Sequence, residues 1–516
     1  MDLELALNVE DAGKPALLNG LLKGRVGRSR SQALHVVWHD SPERALAAEG
    51  MALSEQRGTW RLEKLSPDGA GWAPGAPPPI LEAAGRQDAL TRRLPDGLTP
   101  VAAFDGRQSL TTAATADGPV VVRLTRGSIR TVTAQHPAAR LHIEGSDSAV
   151  RGLALTLASG MRLSLPTSTL AAEALAVADG KEPRPHRLGA AELPDGIAAE
   201  GGDAIAQAFR HVLGHLVEVM LHHAAEALSG RNDIEAVHQM RVAVRRARSA
   251  IAVFRHALPE GPLTEATQTL KTLARHLGPT RDWDVFVSET LPAIAGRFPD
   301  DARLGRLLAA AERRQRQCRS ALHAYLGTSE FRIAMIGLGW FAASAAWHTT
   351  ATGAAPAAEA PTSAQDAAPG AEPQPVPPAG AERPPLEVFA EAALERRRKK
   401  LVSAGKSIRK LDLPSLHRLR LRTKRLRYAA EVLAGLYGGK APRRFIHRLA
   451  VLQQRLGVLN DGKVAADLLA ELGGDSGRHA YAVGLVMGFA AARAMQIRPK
   501  ALDAWEKFRA AEPFWT

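Results

Sequence analysis

Val237–Phe254 reads VHQMRVAVRRARSAIAVF, and Leu416–Leu433 reads LHRLRLRTKRLRYAAEVL. Laid over one another at an offset of 179, His238 matches His417, Arg241 matches Arg420, Arg245 matches Lys424, Arg246 matches Arg425 and Arg248 matches Arg427. A second pair of segments, LKTLARHLGPTRDWDV (Leu270–Val285) and LAVLQQRLGVLNDGKV (Leu449–Val464), aligns at the same offset. There Leu273, Leu277, Gly278 and Asp282 match Leu452, Leu456, Gly457 and Asp461. Two separate segments that share one offset identify an internal duplication.

On a helical wheel His238, Arg241, Arg245 and Arg248 fall within an arc of about 80°. Met240, Val244, Ala247, Ile251 and Phe254 occupy the opposite side, so the helix carries a basic stripe against an apolar one. The second copy repeats the arrangement, with His417, Arg420, Lys424 and Arg427 opposed to Leu419, Leu426, Ala430 and Leu433. No carboxylate interrupts the cations between His238 and Arg255, so the usual i,i+4 relief by Glu is missing and the stripe repels itself. A self-repelling stripe that occurs twice calls for an anion.

Phosphate suits these side chains: arginine offers a planar fork, lysine a mobile point charge, and histidine a donor whose charge rises beside an anion. Positions i, i+3, i+7 and i+10 span about 15 Å of helix, the length of several consecutive phosphates. Nucleic-acid readers add aromatic stacking surfaces. The stripes have none: Phe254 lies on the apolar side and Tyr428 ends its helix's basic run. A bare phosphate polymer therefore fits better than RNA or DNA, with backbone-only nucleic-acid binding as the rival reading. In the second motif, Gly278 and Gly457 suit helix C-termini, and Asp282 and Asp461 suit N-caps of the helices that follow. Arg246, Arg425, Arg275, His276 and Arg455 are further candidates for the anion path.

Charge supports the same region. Residues 1–200 hold 22 Lys and Arg against 23 Asp and Glu, whereas 201–516 hold 45 against 30, so the net +14 resides in the C-terminal part. Clustered positive charge concentrates acidic partners. The single cysteine, Cys318, excludes an intramolecular disulfide and a cysteine metal cluster, which favours a reducing compartment. MDLELALNVED has no signal-peptide pattern, and the apolar stretch Ile333–Trp347 is shorter than the roughly 20 residues of a membrane span. The expectation is a cytoplasmic protein with no membrane partner and a buried helix over that stretch.

The fold class expected is multidomain α+β. Short β-rich runs such as Ala33–Trp38, Val120–Leu124 and Ile129–Thr133, punctuated by Gly, Pro and Asp, mark an N-terminal antiparallel β-barrel; helical periodicity from Ala204 marks an all-α duplicated bundle. Asp68–Pro79 reads as a surface loop. The boundaries expected are a β domain at 1–175, a linker at 176–202, helical halves at 203–353 and 386–511, and a disordered Pro/Ala-rich insert at 354–385.

The paired His-xx-Arg-xxx-Arg/Lys-xx-Arg helices, each followed by Leu-Gly-xxx-Asp, resemble the CHAD family, the conserved histidine α-helical domain, over roughly Asp203–Ala511. The resemblance implies two helical bundles related by a pseudo-twofold axis, with a basic groove that binds inorganic polyphosphate and directs proteins to polyphosphate granules. It carries that role to His238, Arg241, Arg245, Arg248, His417, Arg420, Lys424 and Arg427, and implies no cofactor for binding.

The N-terminal region is similar to a degenerate CYTH domain, the triphosphate tunnel barrel. Asp2-Leu3-Glu4-Leu5-Ala6 stands where that family has Glu-x-Glu-x-Lys, His39-Asp40-Ser41-Pro42 resembles its Tyr-Asp-Thr-Pro turn, and Gly50–Leu53 resembles the strand that follows. The departures are Ala6 for the motif lysine, Ser54-Glu55-Gln56 for the expected arginines, and Leu141-His142-Ile143-Glu144 for a strand of paired carboxylates. Asp2, Glu4 and Glu144 remain as vestigial metal ligands, with Arg57, Arg61, Lys64 and Arg123 as candidate cations. Transfer of a phosphoryl group needs both metal and cations. A non-catalytic role follows; the alternative is a triphosphatase or polyphosphatase dependent on Mg or Mn.

Overall fold

In the computed structural model of the chain, strand β1 (Asp2–Leu7) turns Leu3, Leu5 and Leu7 into a core and Asp2, Glu4 and Ala6 to the other face, the period-2 pattern of a half-buried strand. The structure describes residues 2–22, 25–65, 75–182, 193, 204–230, 233–255, 257–258, 260–343, 384–473 and 479–516. Most of the expected insert, the tip of the expected loop at 68–79 and much of the expected linker lie outside these residues.

The other strands are β2 (Arg25–Asp40), β3 (Met51–Gln56), β4 (Thr59–Lys64), β5 (Ile80–Ala84), β6 (Thr99–Thr115), β7 (Gly118–Arg130), β8 (Gln135–Gly145) and β9 (Leu163–Ser164). They form one sheet in the order β5-β4-β3-β2-β6-β7-β8-β1-β9 with antiparallel neighbours. The expected barrel closure is absent among the described residues: no strand pair joins β5 to β9. The sheet nonetheless curls, bringing its two ends near one another: the Glu4 amide of β1 donates to the Gly75 carbonyl ahead of β5 at 2.7 Å, and the Glu4 charge acts on Glu63 of β4.

Helices α1 (Val9–Ala12), α2 (Pro15–Leu21), α3 (Ala45–Ala48), α4 (Asp147–Gly160) and α5 (Leu170–Ala178) accompany the sheet. The helical part comprises α6 (Ala204–Leu228), α7 (Asp233–Phe254), α8 (Glu260–Val285), α9 (Leu291–Ala295), α10 (Ala302–Leu326) and α11 (Ser329–Ala343), then α12 (Leu386–Ala404), α13 (Leu413–Leu433), α14 (Ala441–Glu471) and α15 (Ala480–Arg509). In the first copy α6 packs on α7 and α7 on α8; in the second α12 packs on α13 and α13 on α14. The copies meet where α7 packs against α13.

The sheet domain docks on the bundle through α4 and α11, and one apolar core runs from β1 and β8 through both into the helices. Contact there is close: a Cβ on Gly339 of α11 would collide with a Leu165 methyl. Arg151 stacks over Trp340 at 4.7 Å, and Arg332 donates to the Ala158 carbonyl at 3.2 Å. As expected of the Ile333 stretch, α11 buries Met335, Ile336, Leu338 and Phe341. By length and composition, α15 is the one helix among the described residues that could span a bilayer; it packs along α14 and buries Ala482 and Val486.

A candidate anion-binding groove

The apolar stripes decide where the basic stripes point. Met240, Val244, Ala247, Ile251 and Phe254 of α7 are buried, as are Leu419, Leu426, Ala430 and Leu433 of α13. With those faces in the core and α7 against α13, the two basic stripes come together. Lys424 is the clearest witness: Arg420 and Arg427 of its own helix and Arg245 and Arg241 of the other copy all act on its charge. Burial first, and then these four guanidinium groups, lower its pKa to about 8.

His238 and His417 flank this centre on their helices and are partly buried. Nδ1 of both, and Nε of Arg245, are shielded from solvent without a hydrogen-bond partner. Burial, followed by Arg281, lowers the His238 pKa, so the ring is neutral near pH 7 with donor capacity in reserve. Arg248 is exposed. The eight residues therefore resolve into a half-buried cluster of arginines and one lysine, two shielded histidines and an outlying arginine.

Two expectations from the second motif are overturned. Neither Gly278 nor Gly457 ends a helix: α8 runs through Gly278 and Pro279, and α14 runs through Gly457. A helix-interior proline costs about 3 kcal/mol. Burying Trp283 and Phe286 beyond it returns roughly 1.5–3 kcal/mol per side chain, and Thr280 adds a hydrogen bond to the Cys318 carbonyl at 3.2 Å. Packing thus outweighs the local stop signal. Each glycine instead lies beneath the matched arginine. Arg241 donates to the Gly278 carbonyl at 2.8 Å, and a Cβ on Gly457 would lie 3.4 Å from Arg420 Nε.

The second correction concerns Asp282. It sits inside α8, where it caps nothing, and it pairs with Arg241 at 3.0 Å. Burial raises its pKa while Arg241 opposes the rise. The first stripe is consequently relieved by a carboxylate from the neighbouring helix, which a search along α7 alone could not find. Asp461 likewise falls inside α14 rather than at a helix start; its side chain lies outside the described residues.

Further residues join or leave this cluster. Arg281 of α8 acts on His238, Arg241 and Asp282, and its proximity has no signature in the repeat. Glu431 of α13 pairs with Arg427 at 2.7 Å and with Arg246 of the first copy at 3.5 Å. Arg425 is exposed and lies near Arg397, whose pKa burial and neighbouring arginines lower to about 10. Arg275 is exposed and donates to Thr272 at 2.9 Å; His276 stacks flat on Tyr325 at 3.6 Å; Arg455 is partly exposed. Asp284, fully buried, holds Arg319 at 2.5 Å and Gln315 at 2.8 Å, and Arg319 also binds Asp233 at the start of α7.

The β domain presents a different balance. Arg140 pairs with Glu4 at 3.1 Å and with Glu173 at 2.5 Å, while Asp2 approaches His142 at 3.3 Å and Arg123 meets the other nitrogen of that ring at 3.2 Å. Burial raises the Glu4 pKa, and burial with the nearby Glu4 charge raises that of Glu63 to about 7. Glu144 and Arg61 are exposed, and Arg57, in the β3–β4 turn, is spent on β2, donating to the Gln32 side chain and the Ala33 carbonyl. With Glu4 and Glu173 both spent on Arg140, and Ala6 in place of the motif lysine, these residues do not fit a divalent metal with a triphosphate. On α6, His222, His223 and Glu226 bring donor atoms within 4.8 Å of one another, and pairing of the carboxylate with both rings accounts for the group.

Comparison with protein families matches residues 211–470 to the CHAD domain. The chain belongs to the CHAD domain family. Among solved structures, the CHAD domain from the plant Ricinus communis is 28% identical, with a TM-score of 0.50 over 64% of this chain and 97% of that one. PptA from Streptomyces chartreusis is 16% identical, covering 58% and 99% at a TM-score of 0.40. HpAC1 from Hippeastrum, a putative adenylyl cyclase described with a dominant triphosphatase activity, is 12% identical, covering 35% and 95% at 0.24. No curated protein matches the chain.

Proposed function

We propose that the groove between α7 and α13 binds inorganic polyphosphate and thereby associates the protein with polyphosphate granules in the cytoplasm. The observation that carries the reading is the gathering of Arg241, Arg245, Arg420 and Arg427 around Lys424 from both copies of the repeat. Such a cluster is costly without an anion and suits a polymer that places charge at short regular intervals. Phe254 lies in the core and the Tyr428 ring is buried, so neither offers a stacking platform for a base. Membership of the CHAD family supports the same ligand. Binding needs no cofactor in this reading, and the β domain serves as a docked scaffold. Competition tests it: long-chain polyphosphate is expected to hold the protein against RNA and DNA at equal phosphate concentration. Displacement by nucleic acid would transfer the groove to that ligand, and phosphate release from tripolyphosphate with Mg or Mn, abolished by Glu4→Gln, would restore the enzyme alternative.

A further inference from the structure

The basic stripe of α13 does not end in a cation. Glu431 lies fourteen positions beyond His417, at about 320° on the wheel, inside the arc that holds Arg420, Lys424 and Arg427. Its two oxygens divide between the halves of the molecule. Oε1 accepts from Arg427 Nε at 2.7 Å, and Oε2 lies 3.5 Å from Nη2 of Arg246 on α7. The side chains are 13% exposed for Glu431, 25% for Arg427 and 23% for Arg246, so water screens these contacts only in part. At the offset of 179 the matched residue of the first copy is Ala252, so the duplication does not call for an acid here.

We infer that Glu431 is an internal counter-ion of the groove, which an incoming polyanion must displace, and that it sets how tightly and how salt-sensitively the groove binds. This rests on the polyphosphate reading above. Arg427 presents its Nε to Glu431, and that N–H cannot serve a phosphate oxygen at the same time. Either the carboxylate swings aside and repels the polymer, or the polymer forgoes Arg427. Both routes weaken binding. A cation neutralised from within also reduces by about one the number of phosphates the groove can neutralise, and hence the counterions released. Asp282 acts similarly on Arg241 from the neighbouring helix; Glu431 differs in reaching across to the other copy.

The test compares the full chain with its Glu431→Gln and Glu431→Asp variants, titrated with long-chain polyphosphate over a series of salt concentrations, with thermal unfolding in parallel. Glu431→Gln keeps the shape and loses the charge. It is expected to bind about fivefold tighter and to steepen the slope of log K against log salt by about one, with an unchanged unfolding midpoint. Glu431→Asp keeps the charge and should stay near the wild type in slope. Equal or weaker binding by Glu431→Gln with an unchanged slope would overturn the inference, as would weaker binding with a lowered midpoint, which marks a clasp between the copies. Failure of the wild-type chain to bind any polyphosphate would instead overturn the reading of the groove itself.

Discussion

The two copies of the repeat keep the same line of cations and neutralise it differently. In the first, Arg241 is met by Asp282 from α8; in the second, Arg427 is met by Glu431 from its own helix, and that carboxylate also reaches Arg246 of the first copy. The first copy places Arg245 where the second has Lys424, and lysine is the side chain whose charge burial can remove. The two copies thus share the positions of their cations and differ in the carboxylates that meet them. The counter-charges determine how strongly each half presents them.

The largest effect expected comes from removing one half's cations. Arg241→Ala with Arg245→Ala should weaken polyphosphate binding about 100-fold, taking roughly 1.5 kcal/mol for each charged hydrogen-bonding group, and loss of the Arg241 bonds to Gly278 and Asp282 should lower the unfolding midpoint by a few degrees while the chain stays folded. Affinity unchanged in that variant would remove the first half from the site.

Next comes pH. With its pKa near 8, Lys424 loses its charge as pH rises from 7 to 9, so affinity should fall several-fold over that range and fluorescence titrations should show it. Lys424→Arg should flatten the profile. The sign for stability is opposite: a lysine whose folded pKa lies below its unfolded one destabilises the fold at low pH, and this penalty fades as pH climbs through 8. Lys424→Met should therefore raise the unfolding midpoint at pH 7 by about 2 °C.

A smaller gain, about threefold in affinity, is expected from Asp282→Asn, which frees Arg241 without removing it. Comparing it with Glu431→Gln ranks the two counter-charges. The smallest effect lies in the β domain. Glu63, raised to about 7, favours the folded state when protonated, so stability falls as pH passes upward from 4.5 through 7. Glu63→Gln should flatten that decline in thermal unfolding scans; an unchanged slope would place the titrating group elsewhere.

Much of this was legible in the sequence. The eight basic positions, six cations and two histidines, follow from the repeat and the wheel, because burial of the apolar stripe forces the basic stripe away from the core whatever the partner. That the stripes face one another was not legible, since neither helix encodes which face of the other it meets. The relief of Arg241 was invisible for a related reason: Asp282 is forty-one residues away and acts only after α8 folds beside α7. Gly278-Pro279 misled because local breakers yield when Trp283 and Phe286 have a core to fill. In the β domain, the strand pattern announced the sheet. The pairing of Glu4 with Arg140 and the approach of Glu63 depend on the curl, which no alternation pattern specifies.

In the proposed site both copies of the repeat build one binding surface. Calorimetric titration of the chain with polyphosphate long enough to cross both stripes decides between one site and two, repeated with the Arg241 and Arg245 pair or the Lys424 and Arg427 pair changed to Ala. One polymer site per chain is predicted in the wild type, weakened by either pair of changes. Two independent sites, each abolished only by the changes in its own half, would contradict it.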